Sequence, residues 1–350
     1  MKLYCKAQFF KETLQIEESF TIEQKELFFK KIIDAKKRQY SFYPIDVKYK
    51  CNFYKSKIFD KNKPTIIIPI KDSLKLLEYT LENIRINNIQ KYCNILVVDD
   101  RSKEKVQPIV EQEGHNYLRV DNDKGFNFSM LNNIAAKICH QLGNDTIFLW
   151  NSDLWVVSES MFLEFFKKHK NNNSKVSGSK LVYPPREKSF SKSGDSENIK
   201  TYFPNYLGEK WRNTVQFGGD TWFYNPKMTI IHSPGHFRRF EQINNPMVNC
   251  DRGSIFVTGA LHVWDLEYFI NLGGLNPSLS KVFQDVDICL RAVESGDYPM
   301  YFGKDVYFYH DESLSLSSEK AKDPQFISDH YLFGKLWNQK LAKLISYGVS

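Results

Sequence analysis

At 350 residues, with 42% hydrophobic and 25% charged, the chain has a globular composition and can bury one large domain or two modest ones. Forty-eight Lys and Arg against 41 Asp and Glu give a formal net charge of +7. That balance suits an anionic substrate, but no RNP, zinc-finger or helix-turn-helix pattern accompanies it, so nucleic acid is not the expected partner.

The N-terminus, "MKLYCKAQFFKETLQIEES", lacks the form of a signal peptide, and no apolar run approaches the roughly 18 residues of a spanning helix. Six scattered cysteines without a C-x-x-C pair read as reduced thiols in a cytoplasmic protein. Residues 1–60 are lysine-rich and helical in pattern. Thr21 and Gln24 could form a capping box, with Leu27, Phe28, Ile32 and Ile33 on one face.

From Pro64 the texture changes. "TIIIPI" is a continuous apolar run of the kind buried in a parallel sheet, and a helix follows from Ser73. "NILVVDD", a helix near 103–113, "NYLRV", a helix near 129–142 and "TIFLWNSD" continue the alternation. Strands alternating with helices predict βαβ units and a parallel sheet. After "KVSGSKLVY" the periodicity dissolves between 184 and 250, a length of irregular chain that is usually functional. "SIFVTGALHV", a helix from Asp265, the turn "GGLNP" and the stretch "VFQDVDICLRAVESGDYPMYFGKDVYFYHDES" restore order. An amphipathic tail from Asp329 to Tyr347 then places Phe333, Leu336, Trp337, Leu341, Leu344 and Ile345 at helical spacing.

Open α/β sheets bind ligands beyond the carboxyl ends of their strands. The residues there are Lys71 and Asp72, then Asp99, Asp100, Arg101 and Ser102, then Asn151, Ser152 and Asp153. Each alone could cap the next helix. Together they line one sheet edge with hard oxygen donors, which suits a phosphate held through Mg²⁺ or Mn²⁺. Neither G-x-x-x-x-G-K-[ST] nor G-x-G-x-x-G occurs, which excludes a P-loop and disfavours a dinucleotide site. Asp285 reads either as a site acid or as a helix-start acid stabilised by the dipole. Asp287 reads equally as a structural acid or an acceptor contact, and His310 as a site residue or a packed strand-end histidine. His232 and His236, in "HSPGH", lack a third ligand and are not expected to bind zinc.

Seven segments, "TIIIPIKD", "ILVVDDRS", "DKGFNFSMLNNIAA", "TIFLWNSDLWV", "FVTGALHVWDLEYFINLGGLN", "VFQDVDICLRAVESGD" and "VYFYHDES", follow one another over residues 62–315. In order and spacing they resemble family 2 glycosyltransferases with the GT-A fold. The nearest likeness is to bacterial enzymes that build O-antigen, capsule and other surface glycans, many of them rhamnosyltransferases. A weaker echo follows in the tail at "DHYLFGKLWNQKL".

The resemblance implies an α/β, Rossmann-like, mostly parallel sheet flanked by helices. It divides the chain into a basic helical extension (1–60), a GT-A domain (61–315) with an acceptor-side insertion (184–250), and a helical tail (316–350). It implies that Asp99 contacts the nucleotide base, with Pro69 and Lys71 in the same pocket. Asn151, Ser152 and Asp153 occupy the place of the family's Asp-x-Asp motif, Asp153 holding the divalent cation on the donor diphosphate. Asn127 and Asn133 are implied to line the donor side, His310 to add a ligand to the metal or diphosphate, and Asp285 to be the catalytic base. Asn151 departs from the pattern by one negative charge, and Gln284 stands where many relatives have an acid.

The implied activity is an inverting, single-displacement transfer from a UDP- or dTDP-linked sugar to a hydroxyl of a glycan or lipid-linked glycan. A lipid-linked acceptor would bring the protein to the inner face of the cytoplasmic membrane as a peripheral contact. Trp222, Arg238 and Arg239 of the irregular segment are the expected acceptor contacts, with a surface excursion as the bland alternative. Two other classes remain open. A sugar nucleotidyltransferase would need a basic, glycine-rich loop that "IPIKDSLK" lacks, and a silent binding module finds support only in Asn151.

Overall fold

The computed structural model describes residues 30–33, 35–36, 50–123, 125–190, 210–311 and 324–347. In chain order, β1 (Lys50–Tyr54), β2 (Thr65–Ile70), α1 (Leu74–Ile86), β3 (Asn94–Asp99), α2 (Gln107–Gln112), β4 (Asn116–Asp121), α3 (Phe128–Gln141) and β5 (Thr146–Trp150) form the first half. There follow β6 (Leu154–Val156), α4 (Glu159–Asn171), β7 (Val176–Val182), β8 (Val215–Phe217), β9 (Asp220–Tyr224), β10 (His232–His236) and β11 (Asp251–Gly253). The second half closes with β12 (Leu261–Asp265), α5 (Leu266–Asn271), α6 (Gln284–Glu294), β13 (Met300–His310) and α7 (Pro324–Tyr347).

The main sheet runs β1-β4-β3-β2-β5-β12-β7-β13-β11, with β6 on β13 and β8 on β7. Its centre, β4-β3-β2-β5, is parallel throughout. β12 inserts antiparallel between β5 and β7, and β7 and β13 run parallel again. Every residue of β2, β3 and β5 is buried, as their unbroken apolar runs require of strands covered on both faces. Pro69 lacks a ladder donor, and it stands where that is tolerated. The β2–β5 pairing ends at Ile67 and Leu149, so the strands have parted before the proline.

Three details differ from the sequence reading. The extension was expected to be helical to residue 60, yet Lys50–Tyr54 is an edge strand antiparallel to β4. Residues 30–33 and 35–36 are helical, but Ile32 packs on the core while Ile33 is exposed; Thr21, Gln24, Leu27 and Phe28 lie outside the described residues. The irregular segment contains β8 and the antiparallel hairpin β9–β10. The tail's apolar face enters the same core as the sheet, with Phe333, Leu336, Trp337, Leu341 and Leu344 buried. Among the described residues no helix is long and apolar enough to cross a membrane.

Candidate active site

Where β2 and β5 part, a cleft of about 590 Å³ opens at the carboxyl ends of the strands. Pro69 near the end of β2 and Lys71 just beyond it form one wall, and Asn151, Ser152 and Asp153 follow β5. Asp285 and His310 also face it, so seven of the residues singled out from sequence converge on one space.

The turn after β5 is tight. Asn151 N–H donates to Ala260 O at 3.1 Å, Leu154 N–H to Asn151 O at 3.2 Å, and Thr80 Oγ1 from α1 donates to Ser152 O at 2.6 Å. The chain then enters β6, which pairs antiparallel with the end of β13 and sets His310 opposite Leu154. Asp311 N–H closes the ladder on Asp153 O at 3.0 Å. This register brings His310 Nε2 to 3.3 Å from Asp153 Oδ1, both side chains nearly buried. A carboxylate, an imidazole and the nearby Asn151 amide form a mixed O/N donor set. Among the described residues no group of three His, Cys, Asp or Glu side chains gathers. The oxygen donors of Asp153 and Asn151 suit a hard cation such as Mg²⁺ or Mn²⁺, which takes its remaining ligands from phosphate and water.

Asp285 faces the cleft from the first turn of α6. Its Oδ2 accepts Gly259 N–H at 2.7 Å and its Oδ1 accepts Val286 N–H at 2.9 Å. Glycine eases that approach, since a Cβ at position 259 would lie 3.1 Å from Asp285 Cβ and Oδ2 and would press on the carboxylate. Behind this loop His262 Nε2 donates to Val257 O at 2.7 Å while its Nδ1 accepts the Trp264 indole N–H at 3.1 Å. Those partners assign a neutral Nε2–H tautomer, and burial pushes the His262 pKa down, with the Asp285 carboxylate opposing.

The two acids after β3 part company. Asp99 is completely buried and its oxygens are taken by Tyr117 Oη at 2.6 Å, Arg119 Nη1 at 3.0 Å and Ser102 N–H at 2.8 Å. Burial, then the Asp99 carboxylate, push the Tyr117 phenol up, so it remains a donor. Asp99 thus knits β3 to β4 and does not line the cleft. Asp100 pairs with the cleft residue Lys71 at 3.0 Å, and its other oxygen, Oδ1, is buried without a partner. A buried orphan carboxylate oxygen is costly unless a ligand meets it.

Six further residues expected in the cleft are placed elsewhere. Asn127 caps α3 through Met130 N–H and donates to Pro277 O, both at 2.9 Å. Buried Asn133 exchanges two bonds with the Leu275 backbone, at 2.7 and 2.9 Å. Both amides are spent on the turn near Leu275, not on a ligand. Asp287 is completely buried, with Oδ2 2.9 Å from Arg291 Nη2 and Oδ1 accepting the Trp337 indole N–H at 2.9 Å. It is a core ion pair that no acceptor can reach. Trp222 packs edge-on against Phe256 and donates to Asp220 at 3.1 Å. Arg238 reaches Glu241 at 3.3 Å, and Arg239 lies over the rings of Tyr183 and Phe240. None of these three lines the cleft. The irregular segment contributes Gln216, Pro234, Gly235 and His236 instead, and α7 contributes Phe326 and His330.

No model of a known protein family matches the chain. An uncharacterized protein of Sinorhizobium fredii, y4gI, is 27% identical over 264 residues, 74% of this chain. The chain spans 25% of that relative's length. The crystal structure of GalNAc-T7 with UDP, GalNAc and Mn²⁺ superposes at a TM-score of 0.50 with 13% identity, over 72% of this chain and 44% of that one. The structure of S. aureus TarS 1–349 does so at 0.46 with 12% identity, over 82% and 70%. With four parallel central strands, an antiparallel crossing strand and the cleft at the strand ends, the chain has the GT-A fold that it shares with GalNAc-T7.

Proposed function

We propose that the protein is a metal-dependent glycosyltransferase that moves a sugar from a nucleoside-diphosphate donor to an acceptor hydroxyl, with inversion. The observation that carries this reading is the cleft that holds the Asp153–His310 pair and Asp285 on different elements around one space. The GalNAc-T7 structure, which shares the fold, holds UDP, GalNAc and Mn²⁺.

In this reading Asp153 and His310, with the Asn151 side-chain oxygen, hold the divalent cation. When bound, the cation neutralises charge building on the leaving diphosphate. Ser152, Lys71 and Pro69 line the nucleotide end, with buried Asp100 holding the Lys71 ammonium at 3.0 Å. Asp285 takes the proton of the attacking hydroxyl. The Gly259 and Val286 N–H groups fix its carboxylate so that it need not reorganise during transfer. Phe126, Phe128, Phe256 and Phe283 line the same cleft and exclude water from the donor. In-line attack by the hydroxyl that Asp285 deprotonates, on the face opposite the leaving diphosphate, is a single displacement and inverts the anomeric centre.

A glycan or lipid-linked acceptor, a UDP- or dTDP-linked hexose or deoxyhexose and a place in bacterial surface polysaccharide synthesis extend the reading, with peripheral contact at the inner face of the membrane. The division at residues 61 and 315 belongs to it as well.

The test is a panel of UDP-, dTDP- and GDP-sugars with Mn²⁺ or Mg²⁺, scored for free nucleoside diphosphate. Release of pyrophosphate would indicate nucleotidyl transfer, and binding without turnover a silent module. Undiminished release in excess EDTA would remove the metal from the reading.

A further inference from the structure

Asp329, on α7, is completely buried. Its Oδ2 accepts the N–H groups of Lys281 at 2.7 Å and Val282 at 3.1 Å, and its Oδ1 accepts the Gln325 amide at 2.7 Å. Lys281 and Val282 form the loop that delivers Phe283 and then Asp285 to the start of α6. Phe283 holds φ at +65°, a left-handed conformation that strains a bulky residue, and no side chain caps α6. What holds Phe283 there comes from α7: Phe333 stacks on it at 4.7 Å and 24°, and His330 meets it edge-on at 4.6 Å. Two residues beyond Asp285, the Trp337 indole of the same helix donates to Asp287. On the loop's other side Phe128 N–H donates to Ser280 O at 3.1 Å and Ser129 Oγ to Leu279 O at 2.6 Å.

We infer that Asp329 is a positioning residue, which through the amides of Lys281 and Val282 fixes the strained turn that aims the Asp285 carboxylate into the cleft. The helix α7 is then a working part of the site and not only a cover for the core. The inference rests on the reading of Asp285 as the base. A buried carboxylate is costly, and a core-filling role would be met better by an apolar side chain. Asp329 spends its acceptors on this loop and on Gln325 of its own helix, and the loop ends at the reacting group.

The test uses the full chain with MnCl₂ and whichever of UDP-glucose, UDP-galactose, UDP-GlcNAc, GDP-mannose or dTDP-rhamnose it turns over fastest. Asp329→Ala is expected to lower kcat by about 10²-fold through misplacement of the base, with donor KM and the calorimetric affinity for the matching nucleoside diphosphate unchanged. Asp329→Asn keeps an oxygen for both loop amides and is expected to restore most of the loss. An unchanged kcat in Asp329→Ala, a donor KM that rises in step with the loss, or an Asn variant as impaired as Ala overturns the inference. If Asp329→Ala does not fold, Phe333→Leu removes the ring stacked on Phe283, and a wild-type kcat there overturns it equally. Asp285→Asn is run beside these. Turnover in that variant sinks the base assignment, whereas an inactive Asp285→Asn beside a fully active Asp329→Ala sinks only the positioning role.

Discussion

The side chains of the cleft divide into those held open for a ligand and those consumed by the fold, and substitution separates them. Asp285→Asn keeps shape and loses the proton acceptor, so kcat should fall by about 10²-fold or more at unchanged donor affinity. Wild-type turnover in that variant would end the proposed mechanism. Gly259→Ala acts on the same group from behind, because its methyl would press on the Asp285 carboxylate. It should impair kcat, whereas Gly253→Ala, where a Cβ meets nothing within 4 Å, should not. Equal effects of the two would show that glycine at 259 is not needed for the base. Asp287→Ala belongs to the other class. It leaves the Arg291 guanidinium buried and uncompensated, so a loss of about 3–5 kcal/mol in denaturant unfolding is expected. A stability within about 1 kcal/mol of wild type would contradict the core-ion-pair assignment.

Elements whose identity rests on local pattern were legible, and those that depend on register or distant partners were not. β2, β3 and β5 announced themselves as unbroken apolar runs, and the polar turn after β5 followed from where such strands end. The convergence of Asp153 with His310 was implied only by the resemblance; its physical cause is the β6–β13 ladder, which the three residues of β6 do not advertise. Asp99, which the resemblance implied as the nucleotide contact, and its neighbour Asp100 look alike in sequence but take different partners. Register decides between them: Asp99 lies beside Arg119 across β3 and β4, so their side chains share a face. The amide donors of Asn127 and Asn133 could not be read, since the carbonyls they reach lie some 140–150 positions away. Asp287 carried a usable signal in the i, i+4 spacing to Arg291. The hairpin β9–β10 was hidden by its glycine, proline and histidines. Gly235 is forced, because a Cβ there would lie 2.3 Å from the Phe223 ring. Gly235→Ala should therefore shift the cleft wall at His236 and weaken catalysis without touching Asp285 or Asp153. Unaltered kinetics in a folded Gly235→Ala would detach the hairpin from the site.

At the scale of the whole molecule, buried histidines set how the fold responds to acid. Burial pushes His115 down to about 4, and burial followed by the Lys170 charge does the same to His169. His262 is shifted in the same direction. A histidine whose pKa is lower in the folded chain than its ordinary 6.5 binds fewer protons folded than unfolded once pH drops below 6.5. Stability must then fall as pH falls, through the window from 6.5 to about 4. Asp329 works against this trend. Burial raises it to about 6, so in the window between 3.8 and 6 the folded chain binds more protons than the unfolded one, and acidification favours the fold there. His115 and His169 together outweigh one aspartate, each fall from 6.5 to about 4 being worth about 3 kcal/mol when complete. The expected outcome is a urea midpoint that declines from pH 7 to pH 5, with the slope of stability against pH reduced by about one proton in His115→Leu, which cannot titrate. A midpoint that holds or rises on acidification would mean that the imidazoles protonate without cost, against their burial.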